Sequence, residues 1–105
     1  MPGGGGTDVA DTFDVVDNVA MSRYEVVIGG RAVSFADYSV SGDTVVLPHT
    51  VTDPAFRGRG LAAIVVKRAL DDARAANRHV DPQCWYAAEF IAQHPEYRDL
   101  RRERN

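Results

Sequence analysis

The sequence predicts an α/β fold, a mixed and mostly antiparallel central sheet flanked by helices, and three observations carry that expectation. Between Tyr24 and Val51, β-branched and aromatic runs are punctuated by two tight-turn signals, Gly29-Gly30 and Ser41-Gly42-Asp43. From Leu61 the period of the apolar residues changes from that of a strand to that of a helix. A second helical run, Trp85 to Gln93, closes at Pro95. The 105 residues suit a single domain, since domains run to roughly 100–150 residues. The expected organisation is a disordered, glycine-rich N-terminal tail over 1–12, one folded domain over 13–100, and a solvated arginine-bearing tail over 101–105.

Element by element, Phe13 to Asp17 is a short strand with a weak signal. Tyr24 to Ile28 is a stronger one, rich in residues that suit a pleated, half-buried surface. Gly29-Gly30 returns the chain into a second long strand, Arg31 to Val40, and Ser41-Gly42-Asp43 turns it into a third, which starts at Thr44 and continues towards Val51. Pro48 lacks an N–H, so that third strand is expected to be bulged or exposed on one edge there. Along Leu61 to Ala76, Ala62, Val65, Val66, Ala69, Leu70, Ala73 and Ala76 form an apolar stripe, with Lys67, Arg68, Asp71, Asp72 and Arg74 on the opposite face. Asn77 suits a left-handed cap. His79 to Gln83 is a short strand, and the order becomes three or four strands, a helix, a strand and a helix, built on one mixed sheet.

Composition removes several classes of function. A formal net charge of −3 argues against a sequence-independent grip on nucleic acid, and an RNA-associated accessory role has only the Arg98–Arg104 tail in its favour. One cysteine cannot form an internal disulfide and points to a reducing, cytoplasmic setting. No apolar run nears the roughly 20 residues that span a bilayer, and no basic segment followed by an apolar core opens the chain. His49, His79, His94 and Cys84 lack zinc-site spacing, so no metal is expected. A monomer or weak homodimer is the expected state.

The most informative segment is Asp53 to Ala62, between the last meander strand and the long helix. A helix N-terminus presents unpaired N–H groups and roughly half a positive charge. Gly58 and Gly60 let backbone approach a ligand without interference from a Cβ, and Arg57 and Arg59 add cationic side chains. An anion such as a pyrophosphate held here gains charge-assisted hydrogen bonds of about 1.5–3 kcal/mol each. The bland alternative is a tight turn that feeds a helix. Gly58 to Ala63 also fits a dinucleotide fingerprint, with Asp81 about twenty residues on, but the preceding strands are hairpin-linked and too little chain follows for parallel βαβ units. A Walker loop fails because no Gly-Lys-Ser/Thr is present.

Arg57-Gly58-Arg59-Gly60-Leu61-Ala62 resembles the Arg/Gln-x-x-Gly-x-Gly/Ala signature of GNAT-superfamily acetyltransferases. The flanking residues, His49-Thr50-Val51 before it and Ala69 to Arg74, Pro82-Gln83-Cys84 and His94-Pro95-Glu96-Tyr97 after it, are similar to those of the short Yjdj-type members. The resemblance runs from about Val15 to Leu100. It implies a GNAT-like fold in which acetyl-CoA enters a cleft where the third long strand and the strand after the helix splay apart. It also implies that the pyrophosphate meets the backbone of Arg57, Gly58, Arg59, Gly60, Leu61 and Ala62, that the pantetheine pairs with the strand edge near Thr50 and Val51, and that an amine accepts the acetyl group. Two departures stand out. The chain lacks the final strands of ordinary GNAT enzymes, so an acceptor pocket built as theirs would be incomplete, and Val51-Thr52-Asp53-Pro54 replaces the commoner Glu-Val-Pro run.

Cys84 sits where the resembling family carries a cysteine. An ordinary thiol has a pKa of about 8.5, which the start of the following helix can lower, making Cys84 an acyl acceptor; the alternative is a cysteine that only packs. Direct transfer to an amine needs a base, because deprotonating a lysine-like amine at neutral pH costs about 4–5 kcal/mol. His49 and Glu89 are the candidates, His49 being the residue favoured alongside Cys84. Trp85, Tyr86 and Phe90 are aromatic residues suited to walling a cleft or filling the core. An enzyme of this class stands against a catalytically silent CoA-binding or protein-interaction module, separated by whether CoA is released in the presence of amines.

Overall fold

A computed structural model of the chain describes residues 13–102; the expected N-terminal tail, 1–12, and residues 103–105 lie outside the described residues. Among the described residues seven strands and two helices occur in the order β1 (Asp14–Asn18), β2 (Arg23–Ile28), β3 (Arg31–Asp37), β4 (Ser39–Ser41), β5 (Thr44–Leu47), β6 (Thr50–Thr52), α1 (Leu61–Ala75), β7 (His79–Pro82) and α2 (Trp85–Gln93). Short 3₁₀ turns cover Val19–Met21, Pro54–Phe56 and Pro95–Leu100. The mixed, mostly antiparallel architecture expected from the sequence is present. Its single sheet, however, is divided into a four-stranded antiparallel part, β1-β2-β3-β6, and a three-stranded part, β4-β5-β7, whose β5–β7 pair is parallel.

The division has a local cause. The expected strand Arg31 to Val40 breaks at Tyr38 and the expected strand Thr44 to Val51 breaks at Pro48-His49. On one side of the break Ala36 faces Thr50, and on the other Ser39 faces Val46. Asp37 and Tyr38 therefore oppose three residues, Leu47, Pro48 and His49. An extra residue on one strand bends it and sharpens its twist, and proline, with no N–H to give the ladder, is the residue that tolerates the position. The Asp37 N–H still donates to the His49 carbonyl at 3.1 Å, so the hairpin is kinked without being cut.

That kink positions the site. Pairing of β5 with β7 runs as far as Leu47 opposite Pro82, and the Cys84 N–H donates to the Leu47 carbonyl at 2.9 Å. Beyond Leu47 the chain turns away to pair with β3 as β6, while β7 gives way to α2. The two halves part at this point.

Helix α1 holds both halves together. Leu61, Val65, Val66, Ala69, Leu70 and Ala73 are buried against the sheet, together with Val26, Val33, Leu47 and Val80. Burial of a full Val or Leu side chain contributes about 1.5–3 kcal/mol, so this stripe is the main source of cohesion. On the solvent face Lys67 pairs with Asp71 at 2.7 Å and Arg68 with Asp72 at 3.1 Å, each four residues apart. The helix closes one residue before the expected end. Asn77 takes the left-handed conformation (φ 58°), its N–H donates to the Arg74 carbonyl, and the Arg78 N–H donates to that of Ala73, which is a Schellman cap.

At the C-terminal end, Tyr97 and Leu100 are buried, and the Tyr97 hydroxyl donates to Asp71 Oδ1 at 2.6 Å. Arg101 and Arg102, expected in a solvated tail, have exposed side chains but a backbone that follows the sheet: Arg101 bridges to Val80, and the Arg102 N–H donates to the Val80 carbonyl at 2.8 Å. Among the described residues no helix is long and apolar enough to cross a membrane.

Candidate active site

A cleft of about 440 Å³ opens where the sheet halves part, lined by β6 (Thr50, Thr52), the loop before α1 (Phe56, Arg57, Gly58, Gly60), the first turn of α1 (Leu61, Ala62) and the β7–α2 junction (Cys84, Trp85, Tyr86). The loop is rooted at Asp53. The Asp53 N–H donates to the Val33 carbonyl at 2.8 Å, its carboxylate accepts from the Ala55 N–H at 2.9 Å, and Arg31 pairs with it. Pro54 then opens the 3₁₀ turn in the position where a missing N–H costs nothing. Gly58 (φ 82°) and Gly60 (φ 74°) both take the left-handed conformation, and an added Cβ at either would meet no atom within 4 Å. The glycines are thus required by backbone angle and leave open space before the loop.

Gly60 caps α1 without a side chain, so the leading N–H groups of the helix have no side-chain acceptor there. With the positive end of the α1 dipole and Arg57 on the same cleft wall, the loop suits an anion. Strand β6 is an edge of the four-stranded sheet and pairs only with β3 among the described strands. Its free backbone edge suits an extended ligand that adds main-chain hydrogen bonds.

Cys84 lines the cleft and is buried, 8% exposed, with Sγ 3.6 Å from Thr50 Oγ1. It is the N-cap of α2. Burial pushes its thiol up, but the Ala87 and Tyr86 backbone N–H groups and the Thr50 hydroxyl outweigh it and hold the thiol below the usual cysteine value. Burial raises the Tyr86 phenol, which therefore stays protonated well above neutrality. The thiol is thus shifted toward its anion relative to an ordinary cysteine, in a cleft that Tyr86 also lines.

Of the residues expected at the site, the fold brings Thr50, Arg57, Gly58, Gly60, Leu61, Ala62 and Cys84 together around the cleft. Arg59 lies off the lining, with its guanidinium 5.0 Å from the Phe56 ring centre. Val51 alternates away from Thr50 and Thr52 and is exposed, leaving only its backbone to face the edge. His49 lies in the break just before β6. It is not in the cleft lining, and its Nε2 lies 2.5 Å from Asp37 Oδ2. Glu89 is exposed and accepts from Gln93 at 2.8 Å, also away from the lining. For His49 the reason is the break in the strand: it sits just outside β6, where its ring meets Asp37.

Thr52 and Phe56 line the cleft without having been singled out in the sequence. Thr52 was legible as the residue two beyond Thr50 on one strand face. Phe56 had no such signal, because a 3₁₀ turn after a proline sets its direction.

The described fold is thus a splayed α/β sheet with an anion-suited helix N-terminus at its opening. A family model described as GCN5-related N-acetyl-transferase matches residues 23–100, and the chain belongs to that family. It is similar to Protein NATD1 of Xenopus tropicalis, 37% identical over 65 residues that cover 62% of this chain and 59% of the relative. It is also similar to Protein NATD1 of Danio rerio, 28% identical over 95 residues and covering 86% of each chain. The matched region thus spans about three fifths of the length of the Xenopus relative and most of the Danio one. Among solved structures, a GCN5-like protein from Staphylococcus aureus superimposes with a TM-score of 0.67 at 16% identity, covering 88% of this chain and 90% of that one. The ribosomal-protein-S18-alanine N-acetyltransferase from Escherichia coli does so with 0.57 at 16% identity, covering 68% and 49%. At that identity the likeness is one of fold.

Proposed function

We propose that the chain binds acetyl-CoA in the cleft and transfers its acetyl group to an amine, with Cys84 at the reacting end. The observation that carries this reading is a single opening that joins an anion-suited helix N-terminus, a strand edge unpaired among the described residues and a thiol held below its ordinary pKa. The backbone from Arg57 to Ala62 holds the diphosphate. The β6 edge from Thr50 to Thr52 holds the extended pantetheine arm. The coenzyme supplies the acetyl group as a thioester.

Cys84 attacks the thioester carbonyl as its thiolate; a carbon–sulfur bond forms at Cys84 and the bond to the coenzyme sulfur breaks. The departing sulfur takes a proton from solvent or from Tyr86. The amine nitrogen then displaces the Cys84 sulfur, and the proton it loses restores the thiol. The base role expected of His49 forms no part of this scheme, since its imidazole is bound to Asp37 outside the lining.

Calorimetry with CoA tests the binding half, and failure of CoA to bind refutes it. Intact-mass measurement after incubation with acetyl-CoA tests the chemical half. One added acetyl group is expected on the native protein and none on Cys84→Ala; an unmodified native protein, with turnover kept by Cys84→Ala, removes Cys84 from the chemistry.

A second reading, CoA binding without turnover, is favoured by one observation: the lining residues include no carboxylate, imidazole or ammonium group. It predicts tight CoA binding with no release of CoA above background across a panel of amines.

A further inference from the structure

Trp85 is the least explained residue of the described chain. It is the one tryptophan in the sequence, sits at the first position of α2 directly after Cys84, and is 77% exposed. A buried aromatic side chain removes about 150–250 Å² from water, and at this position most of that gain is forgone. It meets the Tyr86 ring edge-on, centroids 5.8 Å apart. Trp85 nevertheless lines the cleft, at the β7–α2 junction, and the β6 residues Thr50 and Thr52 line it too.

Resting on the coenzyme-binding reading above, we propose that Trp85 is a rim residue that folds onto the pantetheine arm and encloses the thioester end of the cleft. Its place assigns it to the arm rather than to the nucleotide. It follows Cys84, whose sulfur is 3.6 Å from Thr50, whereas the anion-suited backbone lies at the start of α1. Closure covers indole and arm together, removing apolar surface of both from water, and excludes water from a thioester that would otherwise hydrolyse.

As the chain has a single tryptophan, its fluorescence reports the event directly. Titration with CoA is expected to shift emission to shorter wavelength, saturating with the affinity read by calorimetry. Adenosine 3′,5′-bisphosphate, which lacks the arm, is expected to leave emission unchanged. Trp85→Ala is expected to weaken CoA about tenfold, equivalent to about 1.4 kcal/mol, with Trp85→Phe between the two and adenosine bisphosphate bound equally by all three. The exposed position predicts unchanged far-ultraviolet circular dichroism and melting in the variants. CoA binding by calorimetry with unchanged emission and an unweakened Trp85→Ala overturns this inference and leaves the binding reading intact. An emission change with adenosine bisphosphate, together with weaker binding of that bisphosphate to Trp85→Ala by calorimetry, moves the indole to the nucleotide and also overturns it. No binding of CoA to the native chain overturns both.

Discussion

Cys84 stands between two opposed effects, and their balance is measurable. Burial disfavours its thiolate, while the first N–H groups of α2 and the Thr50 hydroxyl favour it, and the latter prevail. The alkylation rate with iodoacetamide, followed against pH, is therefore expected to turn up at a midpoint below the roughly 8.5 of a free thiol. Thr50→Val removes one of the stabilising hydrogen bonds and is expected to move the midpoint upward; an unchanged midpoint would show that Thr50 has no hold on the sulfur. A different pair of residues governs the alkaline limit. The Tyr24 hydroxyl donates to Asp72 at 3.0 Å and the Tyr38 hydroxyl to Asp17 at 2.7 Å. Burial and the facing carboxylates raise both phenols, Tyr38 to about 12. An unfolded tyrosine titrates near 10, so above that pH the unfolded chain gives up protons that the folded chain keeps. The stability these phenols contribute is complete below about pH 10 and is lost as the pH rises through the folded values. Melting temperature is expected to hold up to about pH 10 and then fall, and Tyr38→Phe to fall less steeply; equal slopes would exclude Tyr38 as a cause.

At the scale of the element, the loop before α1 shows what a glycine accomplishes by angle alone. Nothing crowds a Cβ at Gly60, so Gly60→Ala meets only the cost of a left-handed conformation, about 1–2 kcal/mol. For a domain of this size about 1 kcal/mol lowers the melting temperature by roughly 4–8 °C. The larger expected effect is on binding, at least tenfold weaker for CoA, because the new methyl group enters the space before the helix N-terminus. An alanine variant that binds CoA as the native chain does would remove the loop from the site. The elements were legible to different degrees, for physical reasons. The start of α1, its apolar stripe and its Asn77 cap were written in side-chain type and spacing, and so were the hairpin turns. Pro48 announced a defect in the third long strand, but not that the strand would be divided between two sheet halves. That outcome depends on what each half pairs with, β7 for one and β3 for the other, and such long-range pairing leaves no local trace. The same limit misdirected His49: its polarity and position before the loop were visible, whereas the break that leaves it outside β6 and beside Asp37 depended on long-range pairing.

For the molecule as a whole, the cleft lies at the seam where the two sheet halves part. Residue types and order sufficed to place the α/β class and most cleft residues. The seam itself arises only from tertiary pairing, where the Leu47–Pro82 contact ends and β6 departs. Across it the sheet halves are joined by the kinked hairpin and by α1, with no strand-to-strand hydrogen bonds between β6 and β7 among the described residues. A ligand that hydrogen-bonds the β6 edge and the α1 N-terminus while packing against the β7–α2 junction bridges the halves, and it can do so only in the folded chain. Its binding energy is then added to folding stability. At a concentration one hundred times its dissociation constant such a ligand contributes about 2.7 kcal/mol, which for a domain of this size raises melting by roughly 10–20 °C. CoA is expected to produce that rise in a thermal melt, scaling with the logarithm of its concentration. Adenosine 3′,5′-bisphosphate, gripping only the α1 side of the seam, is expected to give an equal rise when matched at the same multiple of its own dissociation constant, because linkage depends on that multiple alone. The sharper comparison is therefore hydrogen exchange. CoA slows exchange of amides in β6 and in the first turn of α2 together, while the bisphosphate protects the α1 side alone. Protection by CoA confined to the α1 loop would mean that the seam stays open with the coenzyme bound, and that the two walls of the cleft do not act on one ligand.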